Sequence, residues 1–276
     1  MMNSVAIISR TDRDEAVKLA EEIGLYLKNK GIDVSFEKEL ANKLRLKKKF
    51  TDFKVDLLLT IGGDGTVLRA FHMTNGEIPI FPIRMGTVGF LCDEDWEQSK
   101  KALDKLIKGE FVKDESSCLQ SNLDTPLAMN EFRLGCSLPS HPIELEVYVD
   151  KSLVARDKVD GIIVSTNTGA SAYALSAGAN IIDPRIEAII VVPICALSTN
   201  FKPYVVPPSS IVTIRVVNGE DLMTLVDGEL QSRLTGIREI KLSKSTHKVT
   251  IIRTGPNFYE RLKRRLNMSS SRQDLK

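Results

Sequence analysis

An α/β domain followed by a β-rich domain is the fold class that this 276-residue sequence predicts. Two observations predict it. Continuous apolar runs alternate with helical stretches over the first 110 residues or so, and from about Phe111 the apolar residues instead alternate singly with polar ones. A third observation concerns the end of the chain, where Asn257 to Asn267 returns to helical composition.

Val5 to Ser9 reads as a short apolar strand. Asp12 or Asp14 can then cap a helix whose buried face is Ala16, Leu19, Ala20, Ile23, Tyr26 and Leu27, at steps of three and four, and Gly31 ends it. A strand over Asp33 to Glu37 leads into a basic helical stretch. Val55 to Ile61 is continuously apolar up to Gly62, as parallel strands covered on both faces are. A strand at Ile80 to Ile83 precedes Gly86 and Gly89, and a helix presenting Ala102, Leu103, Leu106 and Ile107 closes the region near Gly109. Beyond it, Ile143, Leu145, Val147 and Val149 alternate with polar neighbours, as do Val212, Ile214 and Val216, and Val249 to Ile252 is a late strand. A strand at Ile162 to Ser165 runs into a short helix near Ala172 to Ala177. The expectation is a Rossmann-like first domain on a parallel sheet, residues 1–112, and an all-β, sandwich-like domain, residues 113–255. Residues 256–276 form a C-terminal helix and tail that pack back on the first domain.

Composition narrows the function classes. With 38 basic and 36 acidic side chains the net charge is +2, which gives no general attraction to nucleic acid or to an anionic membrane. The basic runs Lys43 to Lys49 and Arg261 to Arg265 lack interleaved aromatics and read as solvated helix faces. No targeting or membrane-spanning segment is recognisable: the longest apolar stretch, Ile189 to Leu197, is short and holds Pro193. The widely spaced Cys92, Cys118, Cys136 and Cys195 suit neither a zinc site nor a disulfide scaffold, so a cytoplasmic setting is expected.

The segment richest in chemistry is T-I-G-G-D-G-T-V-L-R, Thr60 to Arg69. Three glycines around one carboxylate, after a buried strand and before a helix, let backbone amides approach a phosphate. Asp64 falls at the carboxyl end of a parallel strand, where open α/β sheets place ligands. It is read either as the base of a phosphoryl-transfer site or as the cap of a tight turn. No Walker-type G-x-x-x-x-G-K-[ST] occurs, nor a G-x-G-x-x-G after the first strand. A second glycine turn, R-M-G-T-V-G-F-L from Arg84 to Leu91, can face the first, and Phe90 within it reads as core. A third segment, Asp160 to Asn180, is dense in hydroxyls and small side chains that suit a polar pocket better than a core, with Thr166, Thr168, Ser171 and Ser176 as donors and acceptors. A capped Ser/Thr-rich turn is the alternative. No G-x-S-x-G elbow supports a serine hydrolase. Asn130 with Glu131, and the Asp227-Gly228-Glu229 turn, complete the set.

Together these segments resemble the ATP- or polyphosphate-dependent NAD kinases. In order, the resemblance rests on G-G-D-G-T at Gly62 to Thr66, G-x-x-G-F-L at Gly86 to Leu91, N-E at Asn130 and Glu131, D-G-x-I-V-S-T-x-T-G at Asp160 to Gly169, A-Y-x-L-S-A-G at Ala172 to Gly178, and D-G at Asp227 and Gly228. The first motif is shared with lipid and phosphofructokinase relatives, so a lipid or sugar kinase is the competing enzyme class. A non-catalytic dinucleotide-binding regulator is the other alternative. The resemblance implies transfer of a γ-phosphoryl group to the 2′-hydroxyl of the adenosine ribose of NAD. Asp64 would be general base, Gly62, Gly63, Gly65 and Thr66 the phosphate turn, and magnesium would be carried by the donor's phosphates without a dedicated protein metal site.

For NAD the resemblance implies contacts from Asp64, Gly65, Arg69, Phe90, Lys158, Thr168, Ala172, Tyr173, Cys195 and Glu229. Asn130 and Glu131 would hold the nicotinamide-side ribose, Asp160 the nicotinamide end, and Ser171 to Ser176 the adenine and its ribose. Phe90 would then lie against the adenosine, reversing its core reading. Cys195 falls where another subunit approaches the site in the family, so a homodimer or homotetramer is implied. The chain departs from the family at Arg84 (usually Asn), Asn167 (Pro), Ala170-Ser171 (Ser-Thr), Cys195 (His), Lys202 (Arg) and Glu229 (Gln).

Overall fold

A computed structural model describes residues 2–46, 50, 54–86, 89–92, 94–137 and 142–270. Thr87 and Val88 of the second glycine turn, Lys47 to Lys49 of the basic stretch, His141, the side chain of Glu229, that of Arg265, and the tail 271–276 lie outside the described residues. The chain divides into two compact units, Met1–Glu115 with Val249–Lys276, and Ser116–Lys248.

In chain order, the first unit is β1 (Ser4–Ser9), α1 (Asp14–Asn29), β2 (Asp33–Phe36), α2 (Lys38–Lys43), β3 (Leu57–Gly62), α3 (Asp64–Thr74), β4 (Ile80–Arg84), the two-residue β5 (Glu94–Asp95) and α4 (Ser99–Lys108). Strands run parallel in the order β2, β1, β3, β4, with β5 on β4. β3 is buried along its whole length, as its unbroken apolar run requires. α1 buries Ala16, Leu19, Ala20, Ile23 and Leu27, the face its spacing predicts, while Tyr26 is only partly buried and its hydroxyl donates to Asp104. Neither Asp12 nor Asp14 caps α1. Arg13 holds the cap position without a side-chain bond, and Asp14 is the first helical residue, its charge in the first turn.

The second unit follows: β6 (Val112–Ser121), which begins in the first, then β7 (Glu131–Cys136), β8 (Ile143–Val149), β9 (Ser152–Val159), β10 (Gly161–Thr166), α5 (Tyr173–Ser176), β11 (Ile189–Ile194), β12 (Tyr204–Val206), β13 (Val212–Asn218), β14 (Leu222–Val226) and β15 (Glu229–Leu234). The long β16 (Glu239–Arg253) pairs with β13 through its early residues and with β4 through Ile251, returning the chain to the first unit. There α6 (Phe258–Ser270) starts at a capping box: the Asn257 side chain accepts from the Glu260 amide, and the Glu260 side chain accepts from the Asn257 amide.

One sheet of the second unit is antiparallel in the order β12, β11, β10, β7, β14, β15. A second antiparallel layer is built on β16, β13, β8 and β9. Alternate residues of both, including Phe132, Leu134, Ile162, Val164, Leu145, Val147, Val212, Ile214 and Ile240, fill one core between them, which makes this unit a β-sandwich. Each such side chain contributes about 1.5–3 kcal/mol by leaving water. No helix among the described residues is long and apolar enough to cross a membrane.

Candidate functional site

In the first unit, the chemistry gathers where β1, β3 and β4 end. β3 stops at Gly62, Gly63 takes the cap position and α3 begins at Asp64. Asp64 is therefore a first-turn residue and not a cap. Its carboxylate accepts from the amides of Phe90 (2.9 Å) and Leu91 (3.1 Å), so the two glycine turns meet at this side chain. Gly89 makes that meeting possible: a Cβ there would lie 1.9 Å from an Asp64 carboxylate oxygen. Each carboxylate oxygen has two lone pairs and spends one on an amide, which leaves capacity to accept a substrate hydroxyl's proton. Gly65 is exposed and Thr66 half-buried beside it. Phe90 is 7% exposed at this edge.

Arg69, on α3, turns to the protein. It donates to the Ser9 carbonyl (2.8 Å) and to Glu37 (2.9 Å), whose carboxyl is pushed up by burial and held back by the Arg69 charge. Arg84, where the family usually has Asn, forms an ion pair with Asp95 and ties β5 to β4.

In the second unit, the N-E pair and the hydroxyl-rich segment meet at the end of β10. The buried Asp227 carboxylate accepts from the amides of Met129 (2.8 Å), Asn130 (2.7 Å) and Glu131 (3.0 Å), pinning this corner to the start of β7. Asp227 was not among the candidate site residues; the signal for it was the D-G turn. The Asn130 carbonyl accepts from Ser165 Oγ (3.0 Å) and the Thr166 amide (2.8 Å), and Thr166 Oγ1 donates to the Met129 carbonyl (2.7 Å) and accepts from the Gly169 amide (3.0 Å). Gly169 has to be glycine, since a Cβ there would lie 2.1 Å from the Asn130 carbonyl oxygen. Ser171 Oγ donates to the Thr168 carbonyl (3.1 Å), and Asn167, in place of the usual Pro, fastens the loop through the Pro184 carbonyl (2.8 Å).

Glu131 is 5% exposed, and one of its carboxylate oxygens is buried with no hydrogen-bond partner among the described residues. Burial, then the neighbouring Asp227 charge, pushes its carboxyl up to about 8, against a smaller opposing effect of a hydrogen bond from the Tyr173 backbone. The Thr168 hydroxyl is likewise buried without a partner. Two unsatisfied polar groups in one corner mark a place where a ligand's hydroxyls or amide can complete the bonding. Tyr173 is 41% exposed beside them, Ala172 half-buried and Ser176 exposed. α5 is a single turn, too short for its start to act as an anion site.

Lys158, Asp160 and Cys195 collect elsewhere, at the beginning of β10. The Asp160 amide donates to the Ile194 carbonyl and the Lys158 carbonyl accepts from Leu197, around the left-handed Cys195. Because Ser165 pairs with Glu131 and Gly161 with Gly135, the two groups stand a strand apart, about 17 Å at about 3.3 Å per residue.

Residues 5–111 match the family model described as the ATP-NAD kinase N-terminal domain, and residues 129–254 that of the ATP-NAD kinase C-terminal domain. A relative named NAD kinase, from Methanosphaera stadtmanae, is 37% identical over 270 residues, covering 95% of this chain and 98% of its own. Among solved structures, the NAD kinase from Archaeoglobus fulgidus in complex with ATP superposes with a TM-score of 0.80 at 26% identity, over 96% of this chain and 98% of that one. Yeast NADH kinase complexed with NADH gives 0.84 at 25%, over 96% and 86%.

Proposed function

The chain belongs to the NAD kinase family, and from that premise we propose that it transfers the γ-phosphoryl group of ATP to the 2′-hydroxyl of the adenosine ribose of NAD, giving NADP. The observation that carries the mechanism is the Asp64 carboxylate, fixed by two backbone amides at the end of β3. A ribose hydroxyl is a poor nucleophile at neutral pH. A carboxylate that cannot swing away accepts its proton as the new P–O bond forms, and the oxygen bridging to the β-phosphate leaves with the ADP. Gly63 and Gly65, where a Cβ would meet nothing, present open backbone to the phosphates, whereas Gly62 is covered by the Thr66 side chain and the Thr66 amide donates to the Gly63 carbonyl, so these two shape the turn.

Among the described residues there is no group of three or more His, Cys, Asp or Glu side chains that would hold a metal. A lone carboxylate beside open glycine backbone fits a magnesium ion that arrives on the donor and keeps most of its water; when bound, it neutralises charge on the transferred group. In the second unit Asn130, Glu131, Thr168, Ser171, Ala172, Tyr173 and Ser176 take NAD's ribose and adenine. We assign Lys158, Asp160 and Cys195 to the nicotinamide end, and their distance along β10 from Glu131 favours service to a neighbouring copy in a homodimer or homotetramer. Phe90, Arg69 and Glu229 are the further NAD contacts in this reading, and the setting is the cytoplasm, in NADP biosynthesis.

Incubation of the protein with NAD, magnesium and ATP, or polyphosphate in parallel, yields NADP, read by a dehydrogenase that accepts only NADP. Phosphorylation of a diacylglycerol or sugar without NADP from either donor would overturn the reading.

A further inference from the structure

Arg10 immediately follows β1, and its amide donates to the Ile61 carbonyl at the end of β3. Its side chain does not stay over its own strand. One guanidinium nitrogen, Nη1, lies 3.8 Å from where a Cβ of Gly86 would be, and Gly86 follows β4. In the sheet β3 stands between β1 and β4, so the side chain passes over the end of β3, where Gly62 and Gly63 turn toward Asp64. Gly86 has φ +120°, a conformation that side-chain-bearing residues rarely adopt, which keeps this crossing open.

The guanidinium is aimed as well as placed. Asp12 accepts from Nε (2.8 Å) and Nη2 (2.5 Å), a two-point grip that fixes the plane of the group and leaves Nη1 uncommitted among the described residues. The side chain is 31% exposed, so that edge meets solvent. Arg69 and Arg84, the other arginines of this edge, are engaged with Glu37 and Asp95. Gly86 also lines a cavity of about 380 Å³, together with Arg13, Glu15, Lys18, Glu22 and Trp96.

We propose that Arg10, aimed by Asp12, binds the phosphate chain of the phosphoryl donor as it crosses the Gly62–Gly63 turn, with the remainder of the donor directed toward the cavity that Gly86 lines. This rests on the phosphoryl-transfer reading of the same edge. An arginine with one free edge gives a phosphate oxygen a charge-assisted bond without the entropy of ordering a loose side chain. Asp12 is a positioning residue, acting through Arg10.

The test is steady-state kinetics and calorimetric binding of magnesium-ATP on the full chain, for wild type, Arg10→Gln, Arg10→Lys and Asp12→Asn, with polyphosphate as a second donor. Arg10→Gln raises the donor's KM and weakens ATP binding by about tenfold or more, with the KM for NAD within about twofold of wild type. Arg10→Lys recovers part of the loss, and Asp12→Asn shows a smaller donor effect of the same kind. An equal loss with polyphosphate assigns the contact to the phosphates, and a loss with ATP alone assigns it to the nucleoside and contradicts the proposal. Unchanged ATP affinity in a folded Arg10→Gln, or in Arg10→Lys and Asp12→Asn together should the glutamine variant not fold, overturns it. The binding arm keeps the two readings separable: ATP affinity that depends on Arg10 in a protein making no NADP would sink the NAD kinase assignment and leave this one standing.

Discussion

Gly89 and Asp64 are 25 residues apart and touch; the sequence marked Gly89 as part of a turn able to face the first, but not its closeness to the carboxylate. A methyl group at position 89 has to displace the carboxylate and its two amide bonds. Gly89→Ala is expected to lower kcat by about a hundredfold, the scale of an ångström's misplacement, with the melting temperature little changed. A kcat near wild type would show that the observed carboxylate position is not the working one. Asp227 was equally hard to weigh in advance: its D-G turn is common, and only the three amides it accepts reveal that it builds the Asn130–Glu131 corner. Glu131 bears the electrostatic cost. Its carboxyl is raised from 4.5 to about 8, so the folded state holds a proton that the unfolded chain releases, and stability falls as pH rises through that window. Glu131→Gln, which has no proton to lose, should gain melting temperature relative to wild type from about pH 5 to about pH 8 and hold a constant difference above. A parallel pair of melting curves across that range would show Glu131 to be normal.

Elements were more legible than the contacts between them. The apolar run of β3 and the alternation of β8 and β13 each state their environment directly, because burial on two faces or on one has a different period. Helix starts were off by one residue at Asp14 and Asp64, each a possible cap in the sequence and each the first helical residue in the structure, since an acidic residue suits both the cap and the first turn. The hydroxyl-rich segment showed its composition but not its bonding. Ser165 and Thr166 spend their hydroxyls on the Asn130 and Met129 carbonyls and so join β10 to the chain entering β7, while the Thr168 hydroxyl is buried without a partner among the described residues. Gly169 lets that junction close. Gly169→Ala places a methyl against the Asn130 carbonyl and is expected to cost at least about 2 kcal/mol of stability together with weaker NAD binding. Unaltered denaturant midpoint and NAD affinity would contradict this account of the corner.

At the scale of the molecule, a net charge of +2 offers little general attraction for two polyanionic substrates, so in the proposed reading their phosphates depend on local devices: open backbone at Gly63 and Gly65 and single aimed cations such as Arg10. The division into an α/β unit and a β-sandwich separates tasks in the same way. The first supplies the carboxylate and the phosphate turn, and the second the buried, partly unsatisfied polar corner suited to a sugar and a base. The order of these parts was readable from the change of period near residue 111; the strand-length distance between Glu131 and Asp160 was not, because register is a property of pairing. The most direct measurement of the central claim is NAD affinity and NADP turnover for wild type and Asp64→Asn side by side. The account predicts NADP formation by wild type and, for the variant, NAD affinity within about twofold and turnover lower by about 10²–10⁴-fold. Near-normal turnover in a folded Asp64→Asn would contradict it.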